Sequence, residues 1–481
     1  MESTELHVLI VPLPLQGNVN SFLKLAELLA ISGVQVTFVN TFHIHDRLTK
    51  CADIESRFAS FQSRFRFETI PDGLPTEVSR SECSWITLVE SMAVHSKSYF
   101  RDLLLRSDTS SFNCIIGDGA LEFVFDVALE VGIPMIHARA IGACAFWSLF
   151  CLPNVVEAGE LPIRGTDDMD RNIMSIPGME QFLRCRDLPS CCRLDSPENP
   201  EMKLISSAAR RTRQAEGLIL NTFEDLEEPI LSLIRLHVNP NVYTIGPIHE
   251  HLNMKSTAQE NMRDCSSSNV LWSEDRSCLE WLDCQPVKSV IYVSFGSIVT
   301  ITRKQFLEIL HGLVNSNKRF LWVRRPGMIE DEMQLPDELL EATRKRGKMV
   351  EWAPQEDVLA HKAVGGFFTH CGWNSTLESI IAGVPMLCWP SFFDQQVNSA
   401  FVGAAWKIGL DMKDVCDRET IEKAINDLME ERNEEFMKSS SKLAHKARTS
   451  LTTLGSSSSN LELLIKHIKS LPSHKNTVFK L

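Results

Sequence analysis

The residues most able to do chemistry lie between positions 352 and 396, where an apolar run, a tight turn and a helical pattern follow one another. The turn reads CGWNS, and we predict that the helix after it is capped by Asn374 or Ser375 and stopped by Gly383. A glycine-containing loop that opens a helix presents backbone N–H groups and the positive end of the helix dipole, which suits a diphosphate without a lysine or a metal. His370, just before the turn, can add a further hydrogen-bond donor.

Two flanking groups extend this pattern. Trp352 ends a predicted strand, where an exposed indole face can stack on a base. Asp394 and Gln395 follow another predicted strand and offer a carboxylate and an amide that suit the hydroxyl groups of a sugar. A glycine turn, a tryptophan or an Asp-Gln pair is ordinary when it stands alone. Their order and spacing together indicate a ligand site.

A second candidate site lies near the N-terminus. The run HVLIVPLP predicts a strand, QGN forms the loop after it, and a helical pattern starts near Ser21. The polar residue of that loop is Asn18, and an amide cannot take up a proton near neutral pH. Asp118 ends a later predicted strand in CIIGDG, although an aspartate there is also a common turn residue. The run Gly117-Asp118-Gly119 lacks the GxGxxG spacing, which argues against a dinucleotide-dependent oxidoreductase.

Three histidines near predicted strand ends have alternative interpretations. His43 and His45 form an HxH pair in a strand-to-loop segment, but a metal site needs a third ligand that the sequence does not offer. We therefore predict that both lie on the surface or in an acceptor pocket. His137 and Arg139 lie at another strand end, where either can face an acceptor or belong to the core.

Hydrophobic periodicity places these residues on two α/β halves. The predicted strands cover 7–14, 34–41, 112–119, 133–140 and 216–223 in the first half, and 289–297, 319–325, 347–352, 364–370 and 384–390 in the second. Between the halves, residues 246–275 are polar and predict a linker and surface loop. Strands that alternate with helices form parallel sheets, so we predict two doubly wound α/β domains that face each other across a cleft.

The composition excludes several classes of protein. The chain has 481 residues and a formal net charge of −13, so it has no excess of basic charge to bind nucleic acid or an anionic membrane. The N-terminus lacks the basic and apolar regions of a secretory signal, and no apolar run is long enough to predict a transmembrane segment. The 14 cysteines show no paired CxxC spacing, which predicts reduced thiols and a cytoplasmic location without a zinc or disulfide framework.

The segment from Trp352 to Gln395 resembles the signature box of plant family 1 UDP-sugar glycosyltransferases, and the resemblance extends along the chain through the QG loop, YTIGP, VSFGS and CGWNS. It implies the GT-B fold, with two Rossmann-like domains. We expect an acceptor-binding domain over 1–243, a UDP-sugar-binding domain over 244–455, and a tail over 456–481 that packs back on the first domain. The resemblance also implies a monomer that needs no cofactor or metal and uses UDP-glucose as co-substrate.

The resemblance further implies a role for each matching residue. The donor-site residues are Trp352, Ala353, Gln355 and Glu378 for the uracil and ribose, Ser297, His370, Trp373, Asn374 and Ser375 for the diphosphate, and Asp394 and Gln395 for the sugar. A glutamine at the last position of the box fits glucose. The expected reaction is inverting: the acceptor attacks the anomeric carbon in line, and UDP leaves with its charge stabilised by a helix N-terminus.

The catalytic position departs from the family. The family has a histidine base in a QGH loop, held by an aspartate that matches Asp118, but this chain has Asn18 in the base position. Ala140 and Gly142 also stand where the family usually has hydroxyl side chains. Three routes are therefore open. The acceptor arrives already ionised, Asp118 reaches it directly or through a water, or the protein is inactive on ordinary alcohols.

Together these patterns predict an enzyme. It would move glucose from UDP-glucose to a hydroxyl or carboxyl group of a small plant secondary metabolite, either a terpenoid such as an iridoid or a phenolic, and give a β-glucoside. The alternative is a catalytically silent relative that binds a UDP-sugar or a metabolite and has lost its general base.

Overall fold

The computed structural model describes residues 6–472 apart from 53, 62–63, 76–77, 79, 81–82, 107–111, 194–198, 259–270 and 330–335. The chain divides into two compact units. The first unit consists of Met1–Leu152, Pro200–Trp272 and Thr449–Leu481, and the second consists of Pro153–Asn199 and Ser273–Arg448. Residues 153–199 therefore pack with the second unit, although they lie inside the predicted acceptor-binding domain. The predicted division into an acceptor-binding domain that ends at residue 243 and a UDP-sugar-binding domain that ends at residue 455 stays a prediction.

A seven-stranded parallel sheet forms the centre of the first unit. Its strands are β1 (His7–Val11), β2 (Gln35–Thr41), β3 (Phe65–Ile70), β4 (Cys114–Asp118), β5 (Met135–Arg139), β6 (Gly217–Leu220) and β7 (Val242–Thr244). Their order across the sheet is β3-β2-β1-β4-β5-β6-β7. The direction of winding reverses between β1 and β4, so the segments that leave the carboxyl ends of these two strands lie side by side.

Helices cover both faces of this sheet. They are α1 (Gln16–Ile31), α2 (Phe42–Ala52), α3 (Ile54–Ala59), α4 (Trp85–His95), α5 (Lys97–Leu105), α6 (Glu122–Val131), α7 (Ala143–Glu157), α8 (Pro200–Arg210), α9 (Glu224–His237) and α10 (Ile248–Ala258). Alternate strand residues point to opposite faces: Ile10 and Phe38 belong to one buried cluster, whereas Leu9 and Val39 belong to the other. This double burial explains the continuous apolar runs that predicted the strands.

The second unit repeats the arrangement around six parallel strands. They are β8 (Val290–Ser294), β9 (Arg319–Val323), β10 (Gly347–Val350), β11 (Val364–Thr369), β12 (Met386–Cys388) and β13 (Gly409–Asp411), in the order β10-β9-β8-β11-β12-β13. Its helices are α11 (Ser277–Asp283), α12 (Arg303–Asn315), α13 (Asp337–Arg346), α14 (Gln355–Ala360), α15 (Trp373–Ala382), α16 (Gln395–Ala400), α17 (Arg418–Asn426) and α18 (Asn433–Ser450). Here the winding reverses between β8 and β11.

The C-terminal helix α19 (Ser456–Ser470) belongs to the first unit. The hydroxyl of Ser457 donates to the carbonyl of Gly246 at 2.6 Å, and the Tyr243 hydroxyl lies 2.7 Å from Nδ1 of His467. Leu461 and other apolar residues of α19 join the core around β1. Helix α19 is thus tied to the edge strand β7 and to the residues just after it.

The two doubly wound sheets confirm the predicted fold class, and all ten predicted strands are present with somewhat shorter bounds. The apolar pattern does not reveal β3, β7 and β13. The strand β3 carries Arg66 and Glu68 on an edge of its sheet, and β7 and β13 are edge strands of three residues each. Short or charged edge strands carry little of the apolar signal on which such predictions depend.

Four local predictions are wrong. The helix α1 begins at Gln16 rather than near Ser21, so the QGN sequence forms its first turn instead of a loop. The predicted linker over 246–275 contains α10, because Ile248 and Leu252 supply a buried helical face; residues 259–270 of that linker lie outside the described residues. The helix α2 covers the HxH pair that was expected in a strand-to-loop segment. The N-cap of α15 is Gly372 rather than Asn374 or Ser375, because the helix starts earlier than its polar residues suggest.

Candidate active site

The CGWNS turn lies at the point where the winding of the second sheet reverses. The helix α15 begins at Trp373, directly after β11, and ends at Gly383, which adopts the left-handed conformation predicted for a helix stop. Gly372 is the N-cap and has no side chain that could accept from the first turn. The positive end of the helix dipole is therefore not neutralised by its own cap, which is the electrostatic requirement for an anion site.

His370 lies in a narrow slot between two glycines. A Cβ atom at Gly296 would come within 2.5 Å of the His370 Nε2 atom, and one at Gly372 within 2.6 Å. Burial of the ring lowers the pKa of His370 to about 4, so the imidazole is neutral at pH 7 and can donate a hydrogen bond without carrying a charge. Cys371, the next residue, has φ of 62°, a strained value for a residue other than glycine.

A hydrogen-bond network brings three of the predicted donor-site residues together. The Nε2 atom of Gln355 donates to Oγ of Ser375 at 2.9 Å and to Oε2 of Glu378 at 2.6 Å. The Tyr292 hydroxyl donates to Oε1 of the same glutamine at 3.1 Å, which fixes the orientation of its amide. Trp352, in contrast, is only 7% exposed, so the indole is largely buried in the structure instead of presenting a wide open face.

Asp394 and Gln395 stand at the start of α16, and both side chains are held by local hydrogen bonds. The Nδ2 atom of Asn398 donates to Oδ2 of Asp394 at 2.8 Å, and burial raises the pKa of this carboxyl to about 6. The Oε1 atom of Gln395 accepts from the backbone N–H groups of Ser391 (2.8 Å) and Phe392 (3.1 Å). Because the oxygen of the Gln395 amide accepts these two hydrogen bonds, its NH₂ group is the part of the amide that can donate to a further partner.

The remaining predicted donor-site residues occupy the same carboxyl edge of the sheet. Ser297 follows β8, Ala353 follows β10, and Trp373 and Asn374 form the first turn of α15. The two strands that flank the reversal of winding, β8 and β11, thus supply Ser297 and His370. The sequence did not point to Asn398 or Tyr292, because their hydrogen bonds depend on the packing of the folded chain.

In the first unit the structure brings Asn18 and Asp118 together, although one hundred residues separate them in the chain. The Nδ2 atom of Asn18 donates to Oδ2 of Asp118 at 2.7 Å, and Oδ1 of Asp118 accepts from the backbone N–H of Ala120 at 3.0 Å. Asn18 lies in the first turn of α1 after β1, and Asp118 ends β4, so both stand where the winding of the first sheet reverses. An ionised carboxylate can only accept, so the amide turns its NH₂ group toward Asp118 and its oxygen away.

Burial raises the pKa of Asp118, while the guanidinium of Arg139 and the hydrogen bonds from Ala120 and Asn18 act in the opposite direction. Arg139 is buried at the end of β5, with Nη2 donating to the carbonyl of Ala208 at 2.5 Å. A Cβ at Gly119 would lie 2.4 Å from the guanidinium carbon, so this glycine allows the cation to approach the β4 end closely. On balance the pKa of Asp118 lies above the ordinary value of an aspartate, and its carboxyl group is hydrogen-bonded to the Asn18 amide.

The histidines of this unit have other roles. His137 is buried and its Nδ1 atom lies 3.0 Å from the Thr212 hydroxyl, so it belongs to the core. His43 is half-buried on α2 beside two arginines, and burial followed by these charges lowers its pKa. Within the described ranges no group of three or more His, Cys, Asp or Glu side chains could hold a metal ion, and His45 instead lies against the ring of Phe67.

Ala140 and Gly142 precede α7 and carry no hydroxyl groups, as the sequence shows. The N-terminus of α7 is satisfied by a residue that the sequence did not suggest: the buried carboxylate of Glu227 accepts from the backbone N–H groups of Ala143 (3.0 Å) and Cys144 (2.7 Å). This N-terminus is therefore already occupied by a carboxylate of the chain itself.

Two doubly wound parallel sheets, each with polar side chains at the point where its winding reverses, are the architecture of glycosyltransferases of the GT-B class. The family model "UDP-glucoronosyl and UDP-glucosyl transferase" matches residues 219–452. A "7-deoxyloganetic acid glucosyltransferase" from Catharanthus roseus is 49% identical over 97% of this chain and 98% of its own length. The "UDP-glycosyltransferase 85A2" of Arabidopsis thaliana is 38% identical over 96% of this chain and 97% of its own.

Solved structures agree with these relatives. The chain matches a UDP-glucosyltransferase from Polygonum tinctorium that can glucosylate indoxyl, with a TM-score of 0.79, 28% identity and coverage of 98% of this chain and 100% of that one. It also matches Os79 from O. sativa in complex with UDP, with a TM-score of 0.76, 27% identity and coverage of 96% and 100%. The chain belongs to the family of plant UDP-glycosyltransferases, and it is a UDP-glucose-dependent glucosyltransferase. None of the helices in the described ranges has the length and apolar character needed to span a bilayer.

Proposed function

We propose that this enzyme glucosylates an acidic hydroxyl or a carboxyl group of a small plant metabolite, with inversion, and that Asp118 and Asn18 prepare the acceptor. The observation that carries the proposal is the 2.7 Å hydrogen bond from Asn18 to Asp118. This hydrogen bond gives Asp118 a partner at the position where the family has a histidine. A relative that is 49% identical is named for 7-deoxyloganetic acid, which supports an acidic acceptor.

The two residues would divide the work between them. Asn18 turns its NH₂ group to Asp118, so its oxygen can accept a hydrogen bond from the acceptor and orient it. Asp118, whose pKa is raised by burial, is a better proton acceptor than an ordinary aspartate and would take the proton directly or through a water. A carboxylic acid or an enol-like hydroxyl needs little such help, because it is ionised or nearly so before it binds.

The donor would be held by the residues around α15. We assign the uracil and ribose to Trp352, Ala353, Gln355 and Glu378, the diphosphate to Ser297, His370 and the first turn of α15, and the sugar to Asp394 and Gln395. The uncapped N-terminus of α15 and the neutral donor His370 would stabilise the negative charge that UDP carries as it leaves. The anomeric carbon is then attacked by the acceptor oxygen from the opposite side, and a β-glucoside results.

The proposal is tested by incubating the purified protein with UDP-glucose and a mixed library of plant carboxylic acids, phenols, enols and aliphatic alcohols. Mass spectrometry should show added hexose on the acidic members of the library first. A protein that binds UDP-glucose but glucosylates no member would contradict the proposed activity and support the catalytically silent alternative, which none of the relatives favours. Glucosylation of aliphatic alcohols at rates equal to those of acids would contradict the proposed acceptor class.

We expect turnover to be unchanged when EDTA is added in excess. The leaving diphosphate would be stabilised by the N–H groups at the start of α15 together with His370, and this arrangement needs no divalent cation. The measurement is the initial rate with and without the chelator, followed by addition of Mg²⁺ as a control for non-specific effects. Loss of activity that Mg²⁺ restores would contradict the proposed mode of diphosphate stabilisation.

Trp352→Ala should raise the Kd for UDP by an amount equivalent to about 1–3 kcal/mol, the usual value of a base stacked on an aromatic ring. Calorimetric titration with UDP measures this change. Trp352→Phe keeps an aromatic face and should lose much less, and thermal melting of both variants separates weaker binding from loss of the fold. If both variants fold and bind UDP as tightly as the original protein, the buried indole is only a packing residue.

A cytoplasmic location and a monomeric state remain predictions. Size-exclusion chromatography with light scattering tests the second, and imaging of a fluorescent fusion in plant cells tests the first.

A further inference from the structure

Lys413 is a buried cation that binds the helix α16 from the side. Its side chain is only 3% exposed, and Nζ donates to the carbonyl of Gln396 and to Oγ of Ser399, both at 2.7 Å. The same ammonium group forms ion pairs with Asp187 at 2.9 Å and with Asp411 at 3.0 Å. A buried ammonium is tolerated only when its charge and its N–H groups are satisfied. The position of α16 is therefore tied to Asp187 through Lys413.

Asp187 lies in a separate stretch of chain, residues 182–193, which also packs in the second unit. Its carboxylate accepts from the backbone N–H of Arg184 at 2.8 Å and from the side-chain Nε of the same residue at 3.0 Å. Burial raises the pKa of this carboxyl, but Lys413 and Arg184 outweigh that effect and the pKa lies below its usual value. Asp187 is thus ionised at neutral pH and forms a true ion pair.

Segment 182–193 also contacts the loop that precedes α16. The hydroxyl of Ser190 accepts from the backbone N–H of Phe393 at 3.1 Å. Phe393 has φ of 59°, in the left-handed region that residues with a side chain rarely adopt, so this turn needs support from its surroundings. The two residues that follow the strained turn are Asp394 and Gln395.

Further contacts join the same segment to the far end of α16 and beyond. The rings of Phe182 and Phe401 meet edge to face, with centroids 4.9 Å apart, directly after the last residue of α16. Arg193 forms an ion pair with Asp414 at 2.5 Å, one residue after Lys413. Segment 182–193 therefore holds the turn before α16, the helix itself and the chain that follows it.

We propose that Ser190, Asp187 and Lys413 are positioning residues for the sugar of the donor: through them, segment 182–193 fixes Asp394 and Gln395. The idea rests on the sugar-binding role proposed above for these last two residues. The base, ribose and diphosphate are assigned to other loops of the sheet. Damage to segment 182–193 should therefore weaken recognition of the glucose and leave recognition of UDP intact.

Ser190→Ala is the mildest test, because it removes one hydrogen bond and leaves no buried charge unpaired. We expect an unchanged Kd for UDP, a rise of roughly 2- to 12-fold in the Kd for UDP-glucose, and a weaker preference for UDP-glucose over UDP-galactose. Ser190→Thr keeps the hydroxyl group and should restore the original values. Ser84→Ala is a matched control, since Ser84 also accepts a backbone N–H at 3.1 Å, at the start of α4 in the first unit.

The triple variant Asp187→Asn/Asp411→Asn/Lys413→Met tests the ion-paired cluster without leaving the lysine or either of its two carboxylate partners charged alone. It should change the same ratio of affinities by at least as much as Ser190→Ala does, and a melting curve shows whether it folds. If it does not fold, Ser190→Ala and its threonine counterpart decide the matter. An equal loss of affinity for UDP and UDP-glucose, or lower thermal stability with an unchanged ratio, would overturn the proposal.

A direct variant separates this proposal from the assignment on which it rests. Gln395→His alters the sugar-side residue itself and should change the preference between UDP-glucose and UDP-galactose more than it changes the Kd for UDP. If Gln395→His has no such effect, the proposed role of Gln395 is wrong. If it has the effect and Ser190→Ala does not, the role of Gln395 stands and the positioning role of segment 182–193 is wrong.

Discussion

Asp118→Asn should lower the turnover of hydroxyl acceptors by about 10²–10⁴-fold, the usual contribution of a general base, and leave the Kd for UDP unchanged. Asn18 cannot take up a proton, and Asp118 is the ionisable partner to which it is hydrogen-bonded at 2.7 Å. The substitution keeps the size of the side chain and removes its ability to act as a base. The measurements are kcat with a weakly acidic alcohol or phenol and calorimetric titration with UDP.

The matched comparison uses an acceptor that is ionised before it binds. A carboxylic acid has lost its proton at pH 7, so Asp118→Asn should reduce its turnover only modestly. Asp102→Asn, on the exposed surface of α5, should affect neither acceptor. If Asp118→Asn leaves the turnover of weakly acidic hydroxyl groups unchanged, Asp118 is not the base, and the acceptor reacts without proton transfer to the protein.

The pH dependence of kcat/KM gives an independent check of the same role. Burial raises the pKa of Asp118, and a base works only when it is deprotonated. Turnover of hydroxyl acceptors should therefore fall as the pH is lowered through this raised pKa, at a pH above the ordinary range of aspartate. In Asp118→Asn the part of the acid limb that Asp118 causes should disappear, and a limb that remains belongs to another group such as Asp394, whose pKa burial raises to about 6.

The sequence was a good guide wherever a function depends on consecutive residues. The turn and helix around Trp373, the strands on either side and the carboxylate-amide pair at Asp394 are all local patterns, and the structure places them at one edge of a sheet. The strands among them are buried on both faces, so each appears in the sequence as a continuous apolar run.

The sequence was a poor guide wherever local signals competed. Pro14 and Gly17 are typical of loops, yet α1 starts at Gln16. Pro14 lies before the helix, and Gly17 lies in its first turn, where the backbone N–H groups have no partner within the helix. The buried ion pair of Lys413 with Asp187 and the partly buried hydrogen bond of Phe393 with Ser190 join distant parts of the chain. No periodic pattern predicts such a pair, since the two partners are far apart in the sequence and neither belongs to a pattern that points to the other.

The Asn18–Asp118 pair lies between these two cases. The resemblance to the family located both positions, but it supplied no account of an amide next to the carboxylate. Only the geometry shows that Asn18 faces Asp118 with its NH₂ group and keeps its oxygen for another partner. The geometry of this pair is the basis for expecting an acceptor with an acidic hydroxyl or a carboxyl group, although the usual histidine base is missing.

Asn18→His should raise the turnover of weakly acidic alcohols, by up to about 10²-fold if the new imidazole acts as a general base. The Nδ1 atom of the imidazole would donate to Asp118, as the Asn18 amide does now, and Nε2 would take the acceptor proton. A carboxylic acid should gain little, since it has no proton left to lose. The measurement is the ratio of kcat values for acceptors of graded hydroxyl pKa in the original protein and in the variant.

Asn18→Ala completes the comparison, because it removes the amide without adding a base. The turnover of acidic acceptors should fall only a few-fold. This is the loss expected when one orienting hydrogen bond, equivalent to about 0.5–1.5 kcal/mol, is removed. If Asn18→Ala abolishes turnover of a readily ionised acceptor while UDP still binds, orientation is too small a role for Asn18. If Asn18→His folds, binds UDP and still does not favour weakly acidic alcohols, then the lack of a base at this position is not what limits the choice of acceptor.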